Sequence, residues 1–78
     1  MVIAGVVITT VPGKAPFVAA SLAHQEGVKL VGGDGRERIA AVVQRASGEE
    51  LERWAESLVA EDERVLGVFP TFVGADPA

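Results

Sequence analysis

The spacing of apolar residues along this chain switches between period two and period 3.6. It reads strand, helix, strand, strand, helix, strand. A strand turns alternate residues to one face, and a helix turns every third and fourth residue to one stripe. Each element must bury its apolar side against another, so this order leaves few layered architectures open.

Val2 to Thr10 (VIAGVVITT) is β-branched and nearly all apolar, as a central strand requires. Pro12-Gly13 breaks it, and Pro16 suits a first helical turn. From Ala15 to about Gln25, the residues Ala15, Val18, Ala19 and Leu22 fall at helical spacing, with Gly27 as the helix end. Val28 to Gly33 reads as a short edge strand, and Asp34-Gly35 as a hairpin turn. Arg36 to Arg45 is then a long strand with Ile39, Ala41 and Val43 on one face. Arg38, Ala40, Val42 and Gln44 lie on the other.

Ser47-Gly48-Glu49-Glu50 has the capping-box pattern and opens a helix striped by Leu51, Trp54, Ala55, Leu58 and Val59. Glu49 and Arg53 stand at i,i+4 in the favourable order. Val65 to Val73 is an apolar strand interrupted by Pro70, which belongs at a sheet edge or a bulge. Gly74 to Ala78 reads as a loose tail, so residues 1–78 form one domain.

Right-handed crossovers join these elements into an antiparallel four-stranded sheet of order 4-1-3-2, with both helices on one face. The expected class is α+β, a ferredoxin-like βαββαβ sandwich. The order puts the proline-bearing last strand and the glycine-rich second strand at the two edges, where each is tolerated.

Seventy-eight residues support a single core, and the absence of cysteine excludes thiolate metal sites and a disulfide scaffold. The net charge of −4 argues against nucleic acid. Seven of the eleven acidic residues lie from Glu49 to Glu63, a solvated helix face or a lure for a basic partner. The start, Met1 to Gly5, has no basic region before its apolar stretch, and Val2 to Ile8 is too short to span a bilayer. The expectation is a cytoplasmic domain without membrane insertion.

Residues suited to catalysis are few. His24, the single imidazole, sits near the end of the first helix, and Ser21 precedes it by one turn; neither has an orienting group in view. Gly32-Gly33-Asp34-Gly35 joins two strands and lacks the lysine and helix of a phosphate loop. Glu61-Asp62-Glu63 lacks the spacing of a calcium loop. The reading is a non-enzyme with no cofactor and no metal. Trp54 is assigned to core packing, with ligand stacking as the alternative, and simple alternation sends Phe69 and Phe72 to opposite faces.

The open face of the sheet remains. Two helices cover one side of four strands, and the other side meets water, another subunit or a ligand. Gly5, Val7 and Thr9 on the first strand, Ala40, Val42 and Gln44 on the third, and Phe72 on the last are assigned to it. That surface is flat and apolar at its centre, suited to receive a helix.

The chain resembles the NapD family, small cytoplasmic chaperones for the periplasmic nitrate reductase. The similarity runs over about residues 3 to 73. It is carried by IAGVVI in the first strand, Val18 and Leu22, Gly27-Val28-Lys29-Leu30 and Asp34-Gly35. IAAVVQ, Ser47-x-x-Glu50-Leu51 and Val65-Leu66-Gly67-Val68 complete it. Family members commonly end the last strand with Val-Tyr-His; this chain has Thr71-Phe72-Val73, keeping an aromatic and losing the hydroxyl and imidazole. The resemblance implies binding of the twin-arginine signal peptide of the reductase's catalytic subunit, as a helix on the sheet. It also implies that the precursor is held back from export while the molybdenum cofactor is inserted. Oligomeric state stays open. So does a rival from another class, a small-molecule-sensing module of the ACT or Lrp-effector type, for which Gly32 and Gly33 speak. An acylphosphatase-like enzyme is disfavoured, because Val11-Pro12-Gly13-Lys14 carries no arginine cradle.

Overall fold

The computed structural model describes residues 1–75. Strand β1 (Val2–Thr10) leads into helix α1 (Ala15–Leu22), strands β2 (Val28–Gly33) and β3 (Arg38–Arg45), helix α2 (Gly48–Glu61) and strand β4 (Val65–Ala75). All pairings are antiparallel, and the sheet order is β2-β3-β1-β4, the ferredoxin-like α+β arrangement read from the sequence.

The core is built by period-two alternation on the two central strands. Ala4, Val6 and Ile8 of β1 and Ile39, Ala41 and Val43 of β3 are buried on the helix side. Ala15, Val18 and Leu22 of α1 close over them, and Val65 seals the end. The small side chains of Ala15 and Ala19 let this short helix lie close to the sheet. α2 behaves differently: none of its residues is fully buried, Leu51, Trp54 and Leu58 are half-buried, and Val59 is 41% exposed. Its apolar stripe is wider than the sheet beneath it can cover.

Several boundaries differ from the sequence reading. α1 stops at Leu22, because His24 N–H donates to the Ser21 carbonyl and Gln25 N–H to that of Leu22. These i→i+3 bonds tighten the chain out of the α-helix, so His24 lies beyond the helix. Gly27 has the expected positive φ of +79° but ends this turn, not the helix. β4 continues through Gly74 and Ala75, which therefore do not belong to a loose tail; the rest of that segment lies outside the described residues. At α2, Ser47 Oγ accepts from Glu50 N–H at 3.2 Å as a capping box requires, but Glu50 reaches back to Ala46 N–H instead of that of Ser47.

β3 begins at Arg38, not Arg36, so the β2–β3 turn is longer than the two residues Asp34-Gly35 suggest. One carboxylate organises it. Asp34 Oδ1 accepts from the backbone N–H groups of Arg36 (2.9 Å), Glu37 (2.9 Å) and Arg38 (3.0 Å). These bonds, led by that of Arg36, hold the Asp34 pKa below the ordinary carboxylate range. A lowered folded-state pKa contributes stability above the unfolded value, lost as pH falls through the folded one. The hairpin should therefore loosen in acid, below about pH 4. In a pH titration of the Arg36, Glu37 and Arg38 amide resonances, Asp34→Ala should abolish that acid step. An unchanged step would assign it elsewhere.

Candidate functional site

The six central-strand residues assigned to the open face all stand opposite the helices, because each alternates with a buried neighbour. The register fixes their rows. Gly5 lies between Val42 and Phe72, Val7 between Ala40 and Phe69, and Thr9 between Arg38 and Gly67. Gln44 sits opposite Ile3 at one end, with its amide against Met1 Sδ.

Phe69 and Phe72 do not point to opposite faces. The β1–β4 register shifts between Gly5 and Val6: Val6 pairs with Pro70 and Gly5 with Phe72, so Thr71 is the extra residue of a β-bulge. The bulge restores Phe72 to the face that Phe69 already occupies. Pro70 has no N–H to give a ladder, so it sits beside the bulge on an edge strand, where neither costs a central hydrogen bond. The open-face residue that alternation misses is thus Phe69, and Pro70 is the sequence signal that marks it.

The two rings form the apolar part of the surface. Phe69 is 57% and Phe72 55% exposed. Phe72 covers Gly5, where any Cβ would collide with the ring and with Thr71 Oγ1, so glycine is required for the ring to lie flat. The Phe69 ring lies over Gly67, and Thr9 Oγ1 donates to the Gly67 carbonyl at 3.3 Å. Val7, Ala40 and Val42 continue the patch as half-buried side chains. Its charged border is cationic: Arg38 flanks Thr9, and Lys29 of β2 flanks Val42. The acidic residues of α2 are on the opposite side of the sheet.

Other residues singled out by sequence have local partners. Trp54 is half-buried and not a full core residue; its Nε1–H donates to Gln25 Oε1 at 2.8 Å, and the Arg45 guanidinium stands 5.7 Å from its ring. Ser21 Oγ donates to the Phe17 carbonyl at 3.4 Å, and both Ser21 and His24 are exposed. Asp62 is engaged by Arg64, whose Nε and Nη2 reach its two oxygens at 2.9 and 2.8 Å. This side-chain bonding lowers the Asp62 pKa and raises that of Arg64. Among the described residues, no three His, Asp or Glu side chains gather as a metal site would need.

Among the described residues, no helix is long and apolar enough to cross a membrane. Comparison with protein-family models, with curated proteins and with solved structures finds no match.

Proposed function

We propose that this domain is a non-enzymatic cytoplasmic chaperone that binds the twin-arginine signal peptide of a molybdenum-cofactor enzyme, the periplasmic nitrate reductase. It keeps the precursor from export while the cofactor is inserted. The observation that carries this reading is the open sheet face, on which both Phe69 and Phe72 are exposed beside an apolar floor. Contiguous exposed apolar patches mark interaction surfaces, and this one gathers two aromatic rings with Val7, Ala40 and Val42 on one face. A helix with an apolar stripe, such as the central part of a signal, can lay that stripe across Val7, Val42 and the two rings. The net charge of −4 draws a basic segment in at long range. Lys29 and Arg38 repel its arginines from the β2 side, which leaves the β4 side for them. The resemblance to NapD-type chaperones supplies the identity of the partner.

Calorimetric titration with a synthetic twin-arginine signal peptide, and with its Arg-to-Gln control, tests the reading. Binding at micromolar strength or tighter is expected, weakened in the control. Phe69→Ser with Phe72→Ser should weaken it by about tenfold or more, the usual scale for removing interface aromatics. Both side chains are exposed, so the double variant should keep its fold. Absence of heat together with an empty precursor pull-down sinks the proposal. Unchanged binding by the double variant moves the site off this face.

One observation favours the sensing module. A cleft of about 200 Å³ between α1 and the β2–β3 hairpin is lined by Ala15, Ala19, Leu30, Gly32, Gly33 and Ile39. A dimer on sizing chromatography that tightens with an amino acid would support that reading.

A further inference from the structure

β4 is an unusual edge strand. It runs for 11 residues, pairs only with β1, and carries no charged side chain. Leu66 and Val73 are 62% and 61% exposed. Natural sheets protect such an edge with short length, lysine, proline, bulges or a covering element; β4 has Pro70 and two register shifts but neither short length nor a lysine. The opposite edge, β2, differs in being short, with 6 residues, and in carrying Lys29. On either side of Pro70, β4 keeps outward backbone groups that another strand could pair with.

Beside this edge, on the helix side, an apolar channel runs between α2 and β4. One stretch of about 260 Å³ is lined by Leu51, Ala55, Val68, Pro70 and Val73. The next, of about 370 Å³, continues past Ala55 and Val68 to Val59 and Ala60. Two carboxylates border the channel, Glu52 on the first stretch and Glu56 on the second. The ion pairs among the described residues are Arg53 with Glu49 and Arg64 with Asp62, so neither border carboxylate has a cation. Like charges at i,i+4 on a helix repel, and this pair is left uncompensated.

We infer that the β4 edge and its channel form a second docking site, for an extended protein segment that alternates cationic and apolar side chains. A strand added along β4 sends every second side chain toward α2. Those side chains recur at about 6.7 Å, and Glu52 and Glu56 are about 6 Å apart along the helix axis, so successive cations meet successive carboxylates. The aliphatic stems of Arg or Lys then cover Val68, Pro70 and Val73, with their charged heads at the border. The intervening apolar side chains lie beside Phe69 and Phe72. Charge decides against a second copy of this chain: pairing β4 with β4 puts two Glu52 and two Glu56 on one face of the joined sheet. This site does not depend on the signal-peptide reading, and either can fail without the other.

The test uses an amidated peptide of about ten residues alternating valine and arginine, the length of a long strand, with a valine–glutamate peptide as control. Binding is followed by Trp54 fluorescence and by amide hydrogen exchange. The arginine peptide should bind and slow exchange along β4, and the glutamate peptide should not. Glu52→Gln with Glu56→Gln should weaken binding about tenfold, as two rim charges of this kind can. Glu26→Gln with Glu37→Gln removes the same charge near the opposite edge and should change it by less than about twofold. Equal loss in both double variants would reduce the effect to bulk charge and overturn the proposal. No binding, or protection that maps away from β4, would overturn it too. So would a dimer whose β4 amides are protected before peptide is added.

Discussion

Truncating Leu22 to alanine is expected to destabilise the domain by about 2–5 kcal/mol, the range for deleting a buried leucine side chain. Leu22 is 0% exposed and is the last residue of α1, a helix of only 8 residues. A helix so short has little stability of its own and is held by its apolar contacts. Leu22 and Val18 are the large side chains that hold it, since the other buried residue of α1 is Ala15. Domains gain roughly 0.05–0.15 kcal/mol per residue, so this one has about 4–12 kcal/mol in all. The substitution therefore removes a third or more of the total in most of that range. Urea unfolding followed by Trp54 fluorescence measures it, with Val59→Ala as reference. Val59 is 41% exposed on α2, and its truncation should cost under about 0.5 kcal/mol. Equal midpoints for the two variants would mean that the core is not centred on α1.

The topology is readable from the chain because alternation is written twice on the central strands. A slip of one residue in either would have put Ala4, Val6 and Ile8, or Ile39, Ala41 and Val43, in water. The edges are readable because Pro70 and the Gly32-Gly33 pair have few other places to go. What alternation does not carry is a change of register. Counting by twos through Pro70 separates Phe69 from Phe72, and the bulge at Thr71 reunites them. The extra residue has no pattern of its own; only the proline announces it. The end of α1 was hidden for a different reason. Ala23, Gln25 and Glu26 are acceptable helix residues, and the i→i+3 bonds of His24 and Gln25 that end the helix leave no mark on composition.

The stripe of α2 was legible, but its coverage was not. A helix shows which of its residues are apolar, not how much sheet lies beneath them. Here β4 is the last strand, and the stripe from Leu51 to Val59 overhangs its edge. The acidic residues that looked like one solvated cluster divide accordingly. Glu49 and Asp62 have cationic partners, whereas Glu52 and Glu56 face the channel without one. The open face gained a second aromatic ring over the sequence reading, and its border proved cationic at Lys29 and Arg38.

Gly27→Ala is the second substitution expected to act strongly, and it separates two effects that glycine usually mixes. Gly27 has a φ of +79°, where a Cβ costs about 1–2 kcal/mol by local sterics alone. Gly35 has nearly the same φ, +73°, and a Cβ there would meet nothing within 4 Å. At Gly27 the Cβ would stand 2.6 Å from the Gln44 carbonyl oxygen and 2.7 Å from Arg45 Nη1. The oxygen belongs to the backbone and cannot swing away. Moving it endangers the bond from Gln44 N–H to the Gly27 carbonyl, 2.7 Å long, which ties the α1–β2 turn to the end of β3. It also disturbs Arg45, whose Nη1 donates to the carbonyls of Glu26 and Gln44. A lost hydrogen bond adds about 0.5–1.5 kcal/mol, so Gly27→Ala should cost about 3 kcal/mol and Gly35→Ala about 1–2 kcal/mol. Urea denaturation of both variants measures the difference. If the two lose equal stability, the close approach to Gln44 contributes nothing, and the left-handed backbone alone explains the glycine.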